Sequence, residues 1–203
     1  MLASESFLRI TGKHYLYNIT PIINIPSIIQ FGILSHEKVK GLRHESIALL
    51  DVQEKRSRIT VTNGFTLHHY ANMYFDFYNP MLSRRRSQND VICILAIDYR
   101  VLDIDGCVVT DRNAATEIVR FLDPMSDLKK IDFDKVYARY WKHPNDEYEE
   151  RNHKAIKCAE VLIPEYVPYE YVMDACVVSE EARRALEYKG FRKKIYVEPK
   201  HFF

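Results

Sequence analysis

One carboxylate stands where the hydropathy pattern leaves no room for it. Glu160 falls inside Cys158-Ala159-Glu160-Val161-Leu162-Ile163, a segment otherwise fit for a buried strand. A carboxylate there either lies on the solvent face of an edge strand or is fixed on a rigid strand and aimed into a cleft. In a cleft it can bind a sugar hydroxyl or stabilise developing positive charge. The second candidate is the run Gln53-Glu54-Lys55-Arg56-Ser57-Arg58, followed later by Arg84-Arg85-Arg86. Between residues 36 and 86 nine Lys/Arg stand against five Asp/Glu, a local excess of four positive charges. Such a stretch is either an ordinary solvated surface or a groove for phosphates. Tyr70, Tyr74, Phe75, Phe77 and Tyr78 would supply rings for bases to stack on, although aromatics of this kind also read as core.

Other chemistries find less support. His68, His69 and Asp111 suggest a metal or hydrolytic site, but adjacent histidines on a strand point to opposite faces, so no metal is expected. The glycine-rich phosphate loops of common NTPases and of Rossmann folds are absent, as are the serine-hydrolase elbow and the zincin motif. A nucleotide would need another kind of pocket. Cys93, Cys107, Cys158 and Cys176 are scattered without a C-x-x-C pair, which reads as reduced core thiols.

Several elements must position these groups. Residues 14–20 alternate aromatic or aliphatic with polar side chains, which suits a strand. A short helix follows, with Pro26 in its first turn, Ile25, Ile28 and Ile29 as an apolar stripe, and Gly32 as its stop. Residues 45–58 read as an irregular helix with an apolar start and a charged end. The apolar run 90–98 reads as a central strand buried on both faces. Residues 107–110 make a shorter strand, 114–122 and 133–141 carry helical spacing, and 158–163 and 172–178 return to strand composition. Ser179 caps a helix that ends at Gly190, and a last strand spans 194–198. The sum is an α+β fold.

Length and composition agree. The chain has 203 residues, 47% hydrophobic and 28% charged, with 29 Lys/Arg against 28 Asp/Glu. Disordered and collagen-like classes are excluded, and with a net charge of +1 any nucleic-acid binding has to come from a local patch. No repeat or linker divides the chain, so residues 1–203 are expected to form one domain. No apolar run approaches the roughly 18 residues of a membrane span, and the first residues lack a secretory core. A cytoplasmic protein without membrane contact, and a monomer, is expected.

Several segments, in order, resemble the DNA ADP-ribosyltransferase toxin family called DarT. They are Tyr17-Asn18-Ile19-Thr20, Asn24-Ile25-Pro26-Ser27-Ile28-Ile29 with Gly32, Ser46-Ile47-Ala48, and the run from Gln53 to Arg58. Then follow Leu67-His68-His69-Tyr70, Tyr74-Phe75, Asn79-Pro80-Met81-Leu82, Val109-Thr110-Asp111-Arg112 and Ala159-Glu160. The similarity runs over nearly the whole chain from about residue 15. It implies an ADP-ribosyltransferase-like split mixed β-sheet with flanking helices and NAD in a central cleft. It implies transfer of ADP-ribose to a base of single-stranded DNA without a metal, and a macrodomain antitoxin that removes the mark.

Matched by position, Glu160 takes the place of the family's catalytic glutamate and Arg56 that of its essential arginine. Asn18, Ile19, Thr20, Ser27 and Ser35, with Arg56, fall among the NAD-binding positions, and residues from about Asp111 towards Glu160 on the substrate loop. Arg58, Tyr70, Tyr74, Arg84, Arg85 and Arg86 would make the strand groove. Glu160→Ala is expected to fold normally and lose transfer. Asn18 stands where the family usually has His, His69 where Asp is common, and Ala71-Asn72-Met73 replaces a more apolar Val-Pro-Phe type sequence. An amide still hydrogen-bonds but cannot titrate near neutral pH. These departures leave the target base open. Transfer to RNA, a non-catalytic strand-binding module of the same fold, a protein-modifying transferase and a nuclease are the other readings.

Overall fold

In the computed structural model, which describes residues 2–42, 44–46, 50–62 and 64–203, the apolar run near residue 95 lies within the sheet. Strand β4 (Ile92–Asp98) is buried at every position, as an uninterrupted aliphatic strand covered on both faces must be. It pairs antiparallel with β1 (Tyr15–Pro21) on one side and β9 (Val172–Val177) on the other. Parallel to β9 runs β10 (Lys194–Val197). Beyond β1 lie β3 (Tyr70–Tyr74), β7 (Glu160–Pro164), β5 (Val108–Thr110) and β6 (Phe121–Leu122), giving the order β10-β9-β4-β1-β3-β7-β5-β6. A separate pair joins β2 (Ile33–Leu34) to β8 (Tyr166–Val167).

The sheet is split between β1 and β3. β1 matches β4 residue for residue, from Tyr15 opposite Asp98 to Pro21 opposite Ile92, yet it pairs with β3 only at Tyr17 and Tyr74. Past that pair the strands part and a fork opens. Phe7, Leu16, Met73, Phe75, Leu95 and Ile97 fill one face of the sheet, while Ile19, Tyr74, Leu82, Ile94 and Cys158 pack on the other. The mixed split sheet with flanking helices is the architecture that the resemblance implies.

Helix α2 (Ile25–Phe31) starts with Pro26 in its first turn and ends at Gly32, whose φ of 82° is a conformation L side chains avoid. Helix α8 (Glu180–Tyr188) begins where the Ser179 side chain accepts the Ala182 N–H at 3.2 Å. A short helix, α3 (His36–Val39), precedes α4 (Leu50–Arg58). Ile47, Ala48 and Leu49, part of the 45–58 reading, lie outside the described residues, as do Met1, Arg43 and Asn63.

Two helices expected from spacing are replaced. Residues 114–122 form turns that end in β6, because their backbone N–H groups are claimed elsewhere. Ala114 donates to Glu160, Ala115 to Asn113 Oδ1, and Arg120 to Asp111. Of residues 133–141 only α6 (Phe133–Tyr137) is helical. Conversely, α1 (Ala3–Thr11) and the 11-residue α7 (Glu147–Lys157) carried no sequence signal strong enough to read. The buried side of α7 is His153, Ile156 and Lys157, so its inward face is largely polar and hides the usual apolar stripe. Between β3 and β4 in the chain, α5 (Pro80–Arg84) is capped by Asn79, whose side chain accepts from the Met81 and Leu82 N–H groups.

Candidate active site

Glu160 opens β7, which sits between β3 and β5 and is therefore not an edge strand. The residue is 1% exposed. The solvent-face alternative for this carboxylate is excluded. Its backbone N–H donates to Thr110 Oγ1 at 2.9 Å, and its carboxylate accepts three hydrogen bonds. Two come from Arg56 Nη1, at 2.9 and 3.2 Å, and one from the Ala114 N–H at 2.9 Å. Arg56 itself is buried, near the end of α4. A charged pair out of water is tolerable only with this kind of geometry and full hydrogen bonding. The neighbouring Tyr74 hydroxyl has its pKa raised well above the usual value, first by burial and then by the Glu160 charge.

The fork between β1 and β3 is the mouth of a 190 Å³ cleft lined by Asn18, Ile19 and Thr20 on one side and Tyr70 and Asn72 on the other. Asn18 Nδ2 bridges the fork, donating to the Asn72 carbonyl at 3.1 Å. Ser27, Ile28 and Gly32 from α2, His36 from α3 and Gln53 from α4 complete the wall. At the rim, Asn24 takes the Glu45 N–H on Oδ1 at 2.9 Å and donates Nδ2 to the Glu45 carbonyl at 2.7 Å. The lining is thus apolar at Ile19 and Ile28 and amide- or hydroxyl-bearing around them, the mixture expected of a pocket that orients a polar ring.

Not every sequence-selected residue joins this group. Ser35 is buried and serves as the cap of α3, accepting the Lys38 N–H at 3.3 Å. Arg58 is an exposed surface residue paired with Glu54 at 2.7 Å. Tyr70 and Tyr74 are buried, so in this conformation neither ring is an open platform for a base. Arg84 and Arg86 are exposed and Arg85 half-buried, near α5. Asp111 is buried and bonded to Arg112 at 3.3 Å and to Arg120 at 2.9 Å, which fixes the start of the loop that delivers Ala114 to Glu160. Burial works against that carboxylate, but the Arg120 and Arg112 hydrogen bonds outweigh it and hold its pKa below the usual range.

His36 lines the cleft and was not singled out in the sequence, and it meets His68 behind it. His68 is not on a strand but in a turn, and its Nε2 lies 3.0 Å from both the Gln53 carbonyl and Gln53 Oε1. Its ring stacks on His36 at 4.1 Å. Burial lowers the pKa of both rings, and Lys40 beside His36 and the His36 charge beside His68 act in the same direction. The signal for His68 was its being a histidine beside the basic helix, and for Ala114 there was none, because the functional group is a backbone N–H. Among the described residues no three His, Cys, Asp or Glu converge as a metal site. The four cysteines are free thiols, and burial pushes Cys158 up to about 12.

Comparison with known proteins gives a consistent result. The family described as "DarT: ssDNA thymidine ADP-ribosyltransferase, DarT" matches residues 17–203. A DNA ADP-ribosyl transferase–DNA ADP-ribosyl glycohydrolase fusion protein of Thermosipho africanus is 32% identical over 199 residues, covering 93% of this chain and 49% of that protein. The chain therefore spans about half the length of that relative. The solved structure of Thermosipho africanus DarTG in complex with ADP-ribose superposes with a TM-score of 0.83 at 26% identity, over 94% of this chain and 51% of that one. Thermus sp. 2.9 DarT in complex with ADP-ribosylated ssDNA gives 0.79 at 26% identity, over 95% of this chain and 97% of that one. The same Thermus protein in complex with NAD+ gives 0.75 at 23% identity, over 94% and 98%.

Proposed function

The chain belongs to the DarT family of ssDNA thymidine ADP-ribosyltransferases, and from that premise we propose that it moves ADP-ribose from NAD to a base of single-stranded DNA and releases nicotinamide. The observation that carries the reading is the buried Arg56–Glu160 pair, which does not itself line the polar-rimmed cleft at the fork but stands one helical turn from Gln53 of its wall. Thymine is the base that the family description names. Relatives solved with NAD+ and with ADP-ribosylated ssDNA support the same donor and acceptor here.

The residues present suit that donor. A cleft of 190 Å³ is below the roughly 300–1,000 Å³ of pockets that enclose a drug-sized ligand, so it would hold the nicotinamide-ribose end, with the adenylate extending outward. Asn18 and Thr20 offer an amide and a hydroxyl for the carboxamide and ribose, and Ser27 offers another hydroxyl on the wall. Loss of nicotinamide breaks the C1–N bond with its electron pair and leaves positive charge on the ribose C1 and ring oxygen. A fixed carboxylate at the ribose hydroxyl favours that charge, and the role falls to Glu160. Arg56 aims the Glu160 carboxylate by donating Nη1 to both of its oxygens. The base nitrogen then attacks C1 and gives up its proton, for which the Glu160 carboxylate is the acceptor. A single strand avoids the few kcal/mol of unpairing that a duplex base would require.

Residues 1–203 would act as one domain in the cytoplasm, and no helix among the described residues is long and apolar enough to cross a membrane. The glycohydrolase half of the Thermosipho relative supports a macrodomain-type antitoxin as the partner that reverses the mark. Incubation with NAD and separate pools of single-stranded DNA, RNA and protein, read by mass spectrometry, tests the proposal. A DNA adduct of one ADP-ribose that Glu160→Gln does not form is the expected result. An adduct on RNA or protein keeps the chemistry and replaces the substrate, and no adduct on any pool refutes the transferase reading.

A further inference from the structure

The loop between α6 and α7 is held open in an unusual way. Lys157, wholly buried, donates to the Val136 and Ala138 carbonyls at 2.7 and 3.0 Å and so ties the loop to the end of α7. Arg139 lies over the Tyr78 ring at 3.9 Å. Trp141 packs against Tyr78 at 5.8 Å and Phe203 at 5.6 Å, while Tyr78 and Phe203 stack at 4.3 Å. Both neighbours of Tyr140 are thereby anchored, and Tyr140 itself projects outward with 80% of its surface exposed.

Arg139 and Lys142 flank Tyr140 in the sequence. Tyr78 leads through Asn79 into α5 and the Arg84-Arg85-Arg86 run, so the ring that Arg139 covers also anchors that run. Among the described residues Arg84, Arg85, Arg86, Arg139 and Lys142 form no ion pair, the segments 80–88 and 137–143 contain no acid, and Lys142 lies within electrostatic reach of Glu150, whose pKa it helps to lower. Arg84 is close enough to pull down the Cys158 thiol pKa, and Arg139 close enough to pull down that of Lys157. Lys157 ends α7 and Cys158 caps it, so these two cations lie near the turn that joins α7 to Glu160 at the start of β7.

We propose that Tyr140, with Arg139 and Lys142, is a second contact for the substrate strand, a stacking platform for a base next to the modified one whose phosphates lie on the cations beside it. The inference rests on the single-stranded DNA reading above. Its physical basis is the combination that sequence-tolerant strand binders use, an exposed aromatic face on an anchored loop with cations beside it. Tyr70 and Tyr74, being buried, do not supply such a face.

The test is direct binding of a labelled mixed-sequence single strand of about a dozen bases, measured by fluorescence anisotropy beside the transfer assay. Tyr140→Ala should weaken binding about 5- to 100-fold and raise the KM for DNA without altering the KM for NAD, while Tyr140→Phe should retain wild-type affinity. Arg139→Gln and Lys142→Gln should each flatten the slope of log K against log salt by about 0.7. Tyr188→Ala, at an 88% exposed position on α8, should have no effect. Unchanged affinity in Tyr140→Ala, or equal loss in Tyr140→Phe and Tyr140→Ala, overturns the proposal even if DNA transfer is confirmed. If the wild type binds the strand through Tyr140 but forms no adduct, the platform stands and the transferase reading falls.

Discussion

The Arg56 guanidinium lies 2.9 Å from the Glu160 carboxylate, with 9% and 1% of the two side chains exposed. The pair joins α4 to β7 across 104 residues of chain. It therefore has a structural as well as a chemical role. Truncating one member of such a buried pair typically costs about 3–5 kcal/mol, because the other charge is left without a partner. The expectation that Glu160→Ala folds normally therefore changes. Glu160→Ala should show both a lowered Tm and no transfer, and the Ala114 N–H should lose its acceptor. Glu160→Gln keeps one oxygen for Ala114 and Arg56 but leaves the buried Arg56 charge without its counter-ion, so its Tm should fall less than that of Glu160→Ala while transfer falls by about 100-fold or more. Thermal melts beside adduct yields separate the two, and a fully active Glu160→Gln removes Glu160 from the chemistry.

The His36–His68 stack predicts a pH dependence of stability. Burial lowers both pKa values in the folded state, with Lys40, His44 and Arg56 adding to the effect at His36. At His68, His36 and Arg56 add to it. Glu37 opposes it at both rings, and the Gln53 bond opposes it at His68. The unfolded chain, with histidines near about 6.5, therefore binds more protons than the folded one. The contribution of the stack is complete above about pH 6.5 and is lost as pH falls through the lowered folded values. The Tm should decline on acidification from neutrality, and His36→Gln with His68→Gln should flatten that decline. An identical slope in wild type and double variant would show that the stack does not titrate in this window.

How much of this was legible follows from what kind of group each element uses. Glu160 stood out because a carboxylate interrupts an apolar strand, and β4 because nothing interrupts it. Ser179 and Gly32 marked their helix ends through local chemistry that needs no tertiary partner. The 114–122 segment misled because its helical spacing is overridden by three side-chain acceptors, the distant Glu160 and the nearby Asn113 and Asp111, which hold its backbone in turns. Helix α7 was hidden because it buries His153 and Lys157 where a stripe of Leu or Ile would have marked it. The cleft residues on β1 were found by resemblance, whereas Gln53 and His68 contribute through a hydrogen bond that only the folded chain brings together.

Gly32 should tolerate no side chain. Its φ is 82°, and an added Cβ would overlap the Val167 carbonyl oxygen on β8, a backbone atom that cannot swing aside. Gly32→Ala combines a left-handed penalty of about 1–2 kcal/mol with overpacking of about 1–3 kcal/mol, and a chain of this size loses roughly 2–4 °C of Tm per kcal/mol. Gly12→Ala is the control for a positive φ without overlap, since its φ is 65°, although with ψ of 13° against −174° at Gly32, and nothing lies within 4 Å of the added atom. A Gly32→Ala drop no larger than that of Gly12→Ala would show that the β2–β8 pair yields easily.

Lys157 offers the last prediction, because it is the only fully buried lysine among the described residues and stands three positions before Glu160. Burial lowers its pKa and the Asp76 carboxylate at 2.6 Å works in the opposite direction. Lys157→Met fits the space, yet it leaves Asp76 charged beside apolar surface and the Val136 and Ala138 carbonyls without their donor. A loss of about 3–5 kcal/mol is expected. Asp76→Asn added to Lys157→Met removes the orphaned charge while keeping the Oδ1 that accepts the Tyr78 N–H at 3.2 Å. The double variant should therefore be more stable than Lys157→Met alone in urea unfolding. If the second substitution lowers stability further, Asp76 is held by other partners, and the Lys157 contribution comes from the two carbonyls.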